Sequence, residues 1–114
     1  MRHDQQRLQD ILEAARRILN FAANRSKTDL EKDELFKSAV LYELLVIGEA
    51  ANHLSDALKN RHPKISWTSL NRFRNRIAHE YFKIEPDLVW GTISNEISSL
   101  DTDVADIIAI EFPP

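Results

Sequence analysis

The run DELFKSAVLYELLVIGEAANHLSDALK, residues 33–59, decides the fold. Its apolar positions are Leu35, Phe36, Ala39, Val40, Leu41, Leu44, Leu45, Val46, Ile47, Ala50, Ala51, Leu54, Ala57 and Leu58. They recur at helical spacing but cover more than one face, so the helix must be buried on more than one side. In a chain of 114 residues, one of those sides is expected to meet a second subunit. Gly48, in the middle of this run, costs about 1 kcal/mol against alanine, which predicts a close helix approach there. Asp33 is one candidate N-cap, and Thr28 with Glu31 offers an alternative capping box.

The flanking segments repeat the helical pattern. Residues 4–24 carry Leu8, Ile11, Leu12, Ala15, Ile18, Leu19 and Ala22, an amphipathic stripe, and residues 24–28 read as a polar connection. After the long run, residues 60–66 (NRHPKIS) form a break, because Pro63 disfavours helical geometry at His62. Ser66 can cap a helix over residues 67–82 whose apolar side holds Trp67, Leu70, Phe73, Ile77 and Tyr81. Pro86 suits the first turn of a last helical stretch that carries Leu88, Val89, Ile93, Ile97, Leu100, Val104, Ile107 and Ile108 and bends near Ser98 and Ser99. The expected fold is all-α, one domain over residues 1–114, an antiparallel bundle of four to five helices, and dimeric.

Composition excludes several kinds of chemistry. With no cysteine there is no disulfide, thiolate nucleophile or cysteine zinc site. With only Gly48 and Gly91, neither a P-loop nor a dinucleotide-binding glycine pattern can be written. His79-Glu80 begins like a zinc-protease helix, but Lys83 stands where its second histidine belongs. Glu49 and His53 lie one helical turn apart, yet the paired Glu-x-x-His of a di-iron bundle is absent. Their plain readings are a hydrogen-bonding group on a buried face and an ordinary helix histidine, and His62 reads as a loop residue. No metal and no cofactor is expected. The polar opening MRHDQQRLQD is unlike a secretory leader, and no stretch approaches the roughly 18 apolar residues of a membrane span. The expectation is a cytoplasmic protein without membrane contact.

Charge is unevenly spread. The net charge is −3, but residues 59–83 hold seven Lys/Arg against one acid, while residues 84–114 hold seven acids and no base. A basic block inside an acidic chain reads as a local anion site rather than a general polyanion surface. Its centre is RFRNRIAHEYF, residues 72–82. At about 100° per residue, Arg74 and His79 stand about 140° apart on an ideal helix, so they cannot share one face. To act on one phosphate they must reach it from the flanks of a cleft, or one must come from a second copy. A solvated basic face near a helix C-terminus is the bland alternative. Against it stands the residue mixture: arginine forks onto phosphate oxygens, histidine transfers protons near neutral pH, and asparagine can hold an imidazole or a ribose hydroxyl.

Residues 74–81, RNRIAHEY, match the R-x4-H-x-Y pattern of the HepT-type toxins of the HEPN superfamily, small all-helical ribonucleases. VIGEAANHLS (46–55), HPKISW (62–67) and PDLVW (86–90) resemble that family's segments in the same order. The resemblance spans about residues 4–110. It implies a homodimer, or a higher oligomer with its antitoxin, in which two R-x4-H helices face each other across a composite cleft. It implies metal-independent cleavage of RNA, with tRNA one candidate target. His79 would be the general acid/base, Arg74 would stabilise charge on the phosphorane, and Asn75 would position His79 or the phosphate. Arg72 is a rival for the role of Arg74, and Arg72, Arg76 and Lys83 would hold RNA backbone. The resemblance also implies a partner, a nucleotidyltransferase antitoxin of the MNT type that adenylylates Tyr81. The alternatives are a non-catalytic helical module that binds a nucleotide, RNA or a partner and, less well supported by the acidic balance, a helix-turn-helix DNA reader.

Overall fold

A computed structural model describes residues 2–114. Four long helical segments carry the bundle: α1 (Arg2–Ala22), α3 (Glu34–Asn52), α5 (Trp67–Glu80), and a continuous rod made of α6 (Pro86–Thr92), a π turn (Ile93–Ile97) and α7 (Ser98–Glu111). Two short helices, α2 (Lys27–Lys32) and α4 (Asp56–Arg61), and a 3₁₀ turn (Tyr81–Lys83) lie between them. Among the described residues there is no strand. The all-α antiparallel bundle expected from periodicity is the fold.

The apolar run that fixes the architecture becomes α3, packed against α1 on one side and α5 on the other. Asp33 caps it, accepting from the Phe36 N–H at 3.1 Å. The alternative box at Thr28 and Glu31 is displaced two residues earlier, where the Ser26 N–H donates to the Asp29 carboxylate at 2.8 Å and starts α2. Asn24, at φ 62°, takes the left-handed conformation that closes the turn after α1, a conformation asparagine tolerates.

The long helix stops short of residue 59. It ends at Asn52, and α4 begins at Asp56. Apolar spacing continues through Leu54 and Leu58, so periodicity alone runs the two together. A long-range contact divides them: buried Asp4 on α1 accepts from both the Ser55 N–H (2.9 Å) and Ser55 Oγ (2.6 Å). Ser55 Oγ in turn accepts from the Leu58 N–H at 3.2 Å and so caps α4. The last rod opens with Pro86 in its first turn as expected. Its irregularity is the π turn at Ile93–Ile97, one turn earlier than the bend expected at Ser98 and Ser99.

The core is aliphatic: Leu8, Ile11 and Ile18 from α1, Val40, Leu41 and Ile47 from α3, Ile77 from α5, and Val89, Ile97 and Val104 from the last rod are fully or almost fully buried. Burying each such side chain contributes about 1.5–3 kcal/mol, the dominant favourable term. The Glu43 carboxylate, buried on α3, receives the Arg17 guanidinium of α1 at 3.0 Å and 3.1 Å. With its charge compensated, it ties the two longest helices together.

Part of α3 stays uncovered. Leu35 and Tyr42 stand seven residues apart and so share a face. Leu35 is 81% and Tyr42 62% exposed, and Phe82, just past α5, is 92% exposed. Those are large apolar surfaces for a molecule of this size.

Candidate active site

Helix α5 buries Ile77 and packs Leu70 and Phe73 against the core. That orientation is dictated by its apolar spacing, and it turns Arg72, Asn75 and His79 outward, where all three are exposed. Among the described residues no hydrogen bond fixes the His79 ring, so its nitrogens are open to solvent. Arg74 lies on a different flank, against α3.

The seat of Arg74 is unusual. Gly48 of α3 lies directly beneath it: a Cβ at position 48 would overlap Arg74 Cβ and come within 2.8 Å of its Cγ and 3.1 Å of the Leu70 carbonyl. The close approach that a mid-helix glycine predicts is therefore present, and what approaches is the stem of Arg74. At its other end the guanidinium Nη2 lies 2.8 Å from the Glu49 carboxylate, and Nη1 donates to Asn75 Oδ1 at 3.0 Å. His53 Nδ1 donates to the Glu49 carbonyl at 2.8 Å and stands 3.4 Å from Glu49 Oε1. Glu49 is thus only half-buried, and its partner is the arginine of the R-x4-H run. Asn75 engages Arg74 rather than His79. The pair opens onto a groove of about 440 Å³ between α1, α3 and α5, floored by Leu45, Val46, Ala50 and Ala78.

Tyr81 also reaches α3. Its hydroxyl donates to Ser38 Oγ at 3.1 Å, and its ring meets Phe82 edge-on at 5.3 Å. Gly48 lies against Leu70 and Arg74 while Ser38 meets Tyr81, so α3 and α5 run antiparallel. Arg74 and Tyr81 share the α3-facing side of α5, about 10 Å apart along the helix. Ser38 carries no sequence signal of this contact; only the folded pairing reveals it.

Arg72 and Arg76 belong to another groove. With Phe73, Leu88 and Thr92 they line the cleft between α5 and α6, on the side away from α3. Arg76 Nε lies 3.9 Å from Glu80. Lys83 is exposed in the 3₁₀ turn.

The rest of the basic block is spent inside the molecule. Arg61 forks onto Glu111 at 2.7 Å and 3.0 Å, and His62 Nε2 donates to the same carboxylate at 2.7 Å. Arg61 and then His62 hold the Glu111 carboxyl far below its ordinary 4.5, at about 2. Lys64 pairs with Asp103 at 3.0 Å, and that hydrogen bond raises the ammonium pKa. The Trp67 indole N–H donates to the His62 carbonyl at 3.1 Å. His62, read from sequence as a loop residue, is mostly buried and clamps the end of α7 to the start of α5. The charge contrast between residues 59–83 and 84–114 is therefore partly structural, and the anion site is narrower than the basic block.

Chemically the surface offers a fixed cation, Arg74, and an exposed imidazole, His79, on adjacent flanks of one helix. A guanidinium has five N–H donors, so the contacts to Glu49 and Asn75 leave several for a phosphate. Among the described residues no helix is long and apolar enough to cross a membrane.

Comparison with known proteins agrees with this chemistry. Residues 11–107 match the family described as HepT-like, "Ribonuclease HepT-like". The chain is 33% identical over 93 residues to "Probable ribonuclease HepT" of Thermococcus cleftensis, covering 82% of this chain and 84% of that one. It is 31% identical over 101 residues to "Putative RNase MJ0127" of Methanocaldococcus jannaschii, covering 89% and 84%. To "Putative RNase TTE0752" of Caldanaerobacter subterraneus subsp. tengcongensis it is 30% identical over 104 residues, covering 91% and 93%. No solved structure matches it. The chain belongs to the HepT-like ribonuclease family.

Proposed function

We propose that this chain is a metal-independent endoribonuclease toxin of the cytoplasm that cuts RNA at a cleft between two copies, and that a nucleotidyltransferase antitoxin silences it by adenylylating Tyr81. The observation that carries the reading is an exposed His79 on the same helix as an Arg74 fixed at both stem and head. In the reaction the ribose 2′-hydroxyl loses its proton and attacks the adjacent phosphorus. The 5′-oxygen leaves and takes up a proton, which gives a 2′,3′-cyclic phosphate and a 5′-hydroxyl. His79 moves one of those protons, and Arg74 neutralises charge on the pentacoordinate phosphorus. Asn75 orients Arg74, to which it is already bonded. Arg72, Arg76 and Lys83 bind flanking phosphates. DNA, which lacks the attacking hydroxyl, is not cut.

The divergence of Arg74 and His79 supports a second copy. If two α5 helices face each other, the Arg74 flank of one meets the His79 flank of the other. Exposed Leu35 and Tyr42 on α3 and exposed Phe82 just past α5 supply apolar surface for such pairing. For silencing, Tyr81 Oη attacks the α-phosphorus of ATP, releasing pyrophosphate and the hydroxyl proton. The attached AMP adds a phosphate and a base to the side of α5 that carries Arg74, and so competes with RNA for that cation.

The test is RNA cleavage by purified protein in the presence of a chelator, compared with His79→Ala. The wild type should cut and the variant should lose about 10²–10⁴-fold of the rate while keeping its helical spectrum. Equal cutting by both proteins removes His79 from the mechanism. Binding of RNA without turnover by the wild type restores the non-catalytic reading.

A further inference from the structure

We propose that Glu49 is a positioning residue of the site: it holds the Arg74 guanidinium in place and offsets part of its charge until RNA phosphate shares it. This deepens the ribonuclease reading, on which its turnover arm rests. The argument begins with a magnitude. Arg74 and Glu49 side chains are 36% and 46% exposed, and ion pairs at such exposure contribute little to folding, so stability does not account for the contact. Placement does. Gly48 and Glu49 are consecutive on α3, and one fixes the stem of Arg74 while the other fixes its head at 2.8 Å. An arginine side chain held at both ends has lost most of its rotamer freedom before substrate arrives, which is the condition for aiming a cation at a developing charge. Asn75 Oδ1, at 3.0 Å, completes the frame from α5 itself.

The carboxylate also carries a cost. It lies on the guanidinium and repels an incoming phosphate, so the wild type binds RNA more weakly than an otherwise identical site with a neutral partner.

Two substitutions separate the effects. Glu49→Gln keeps an oxygen that accepts from Arg74 and removes the charge; Glu49→Ala removes both. Binding is read with a short 2′-deoxy oligonucleotide, which cannot be cut, at several salt concentrations. Glu49→Gln should bind several-fold tighter, with a salt slope steeper by about 0.7, one added phosphate contact on a single strand. Combined with Arg74→Ala, the same substitution should give no gain. In steady-state RNA cleavage, Glu49→Ala should lower kcat about tenfold, and Glu49→Gln should recover that loss while lowering KM. A gain that persists without Arg74 overturns the proposal, because it is then a general charge effect. The absence of any binding gain in Glu49→Gln, or equal kcat in wild type and Glu49→Ala, also overturns it. If the wild type cuts no RNA, the ribonuclease reading fails, and the oligonucleotide arm still decides the role of Glu49.

Discussion

Gly48 and Arg74 are packed so closely across α3 and α5 that no side chain fits between them. What a methyl at position 48 would strike is the Cβ of Arg74 and the Leu70 carbonyl, neither of which can swing aside without backbone movement. Gly48→Ala therefore sets a gain of about 1 kcal/mol in helix propensity against overpacking of about 1–3 kcal/mol, with steric conflict prevailing. The expected net effect is a loss of up to about 2 kcal/mol in thermal or denaturant unfolding, with RNA cleavage falling further than stability does, since α5 must shift at Arg74 itself. A more stable Gly48→Ala protein with normal cleavage would show that the helices separate without disturbing the site.

Tyr81 gives a prediction about silencing. Its hydroxyl donates to Ser38 Oγ, so the group proposed to receive AMP is tied to α3. Tyr81→Phe keeps the ring contact with Phe82 and gives up one neutral hydrogen bond, a loss of about 0.5–1.5 kcal/mol. Mass spectrometry after incubation with the nucleotidyltransferase and ATP should show AMP adducts on the wild type and none on Tyr81→Phe. Ser38→Ala releases the hydroxyl and should accelerate adduct formation. AMP found on Tyr81→Phe would place the modification elsewhere.

Much of this architecture is legible locally. The stripe of α1, the Asp33 cap, Pro86 at the start of the last rod and the glycine at a helix crossing each follow from residues within one or two turns. The divergence of Arg74 and His79 follows from helical geometry alone. What escapes are pairings between distant residues. The break before α4 depends on Asp4 meeting Ser55, 51 positions away, and periodicity carries no trace of it. Glu49 sits in an apolar helix next to Gly48, which could have marked it as facing whatever approaches there. That its partner is Arg74 emerges only when α3 and α5 are set antiparallel. The basic block misled for the same reason: Arg61, His62 and Lys64 are matched by acids from the far end of the chain.

That last clamp gives the fold a defined acid sensitivity. The Glu111 carboxyl titrates at about 2 in the folded protein against an ordinary 4.5, because Arg61 first and His62 second favour its charged form. A depressed folded value means that the unfolded chain takes up the proton first. The contribution is complete above pH 4.5 and is lost as the pH falls towards 2. Glu111→Gln removes it. Melting temperatures recorded between pH 6 and pH 2 should fall more steeply for the wild type than for Glu111→Gln, with the two curves converging at the acid end. Parallel curves would mean that the clamp forms without favouring the folded state.

Arg72 and Arg74 both precede His79, and their surroundings assign them different work. Arg74 is fixed by Glu49 and Asn75 on the α3 side, whereas Arg72 is exposed at the rim of the groove towards α6. A fixed guanidinium is suited to charge that appears only in the transition state, and an exposed one to phosphates present in the ground state as well. Arg74→Ala should therefore lower kcat by about 10²-fold or more, with a smaller change in KM. Arg72→Ala should raise KM and flatten the salt dependence of RNA binding by about 0.7, with kcat largely kept. Steady-state kinetics at two salt concentrations distinguishes the two variants. The reverse pattern, with turnover lost at Arg72 and binding lost at Arg74, would transfer the charge-stabilising role to Arg72 and leave Glu49 holding a binding residue instead.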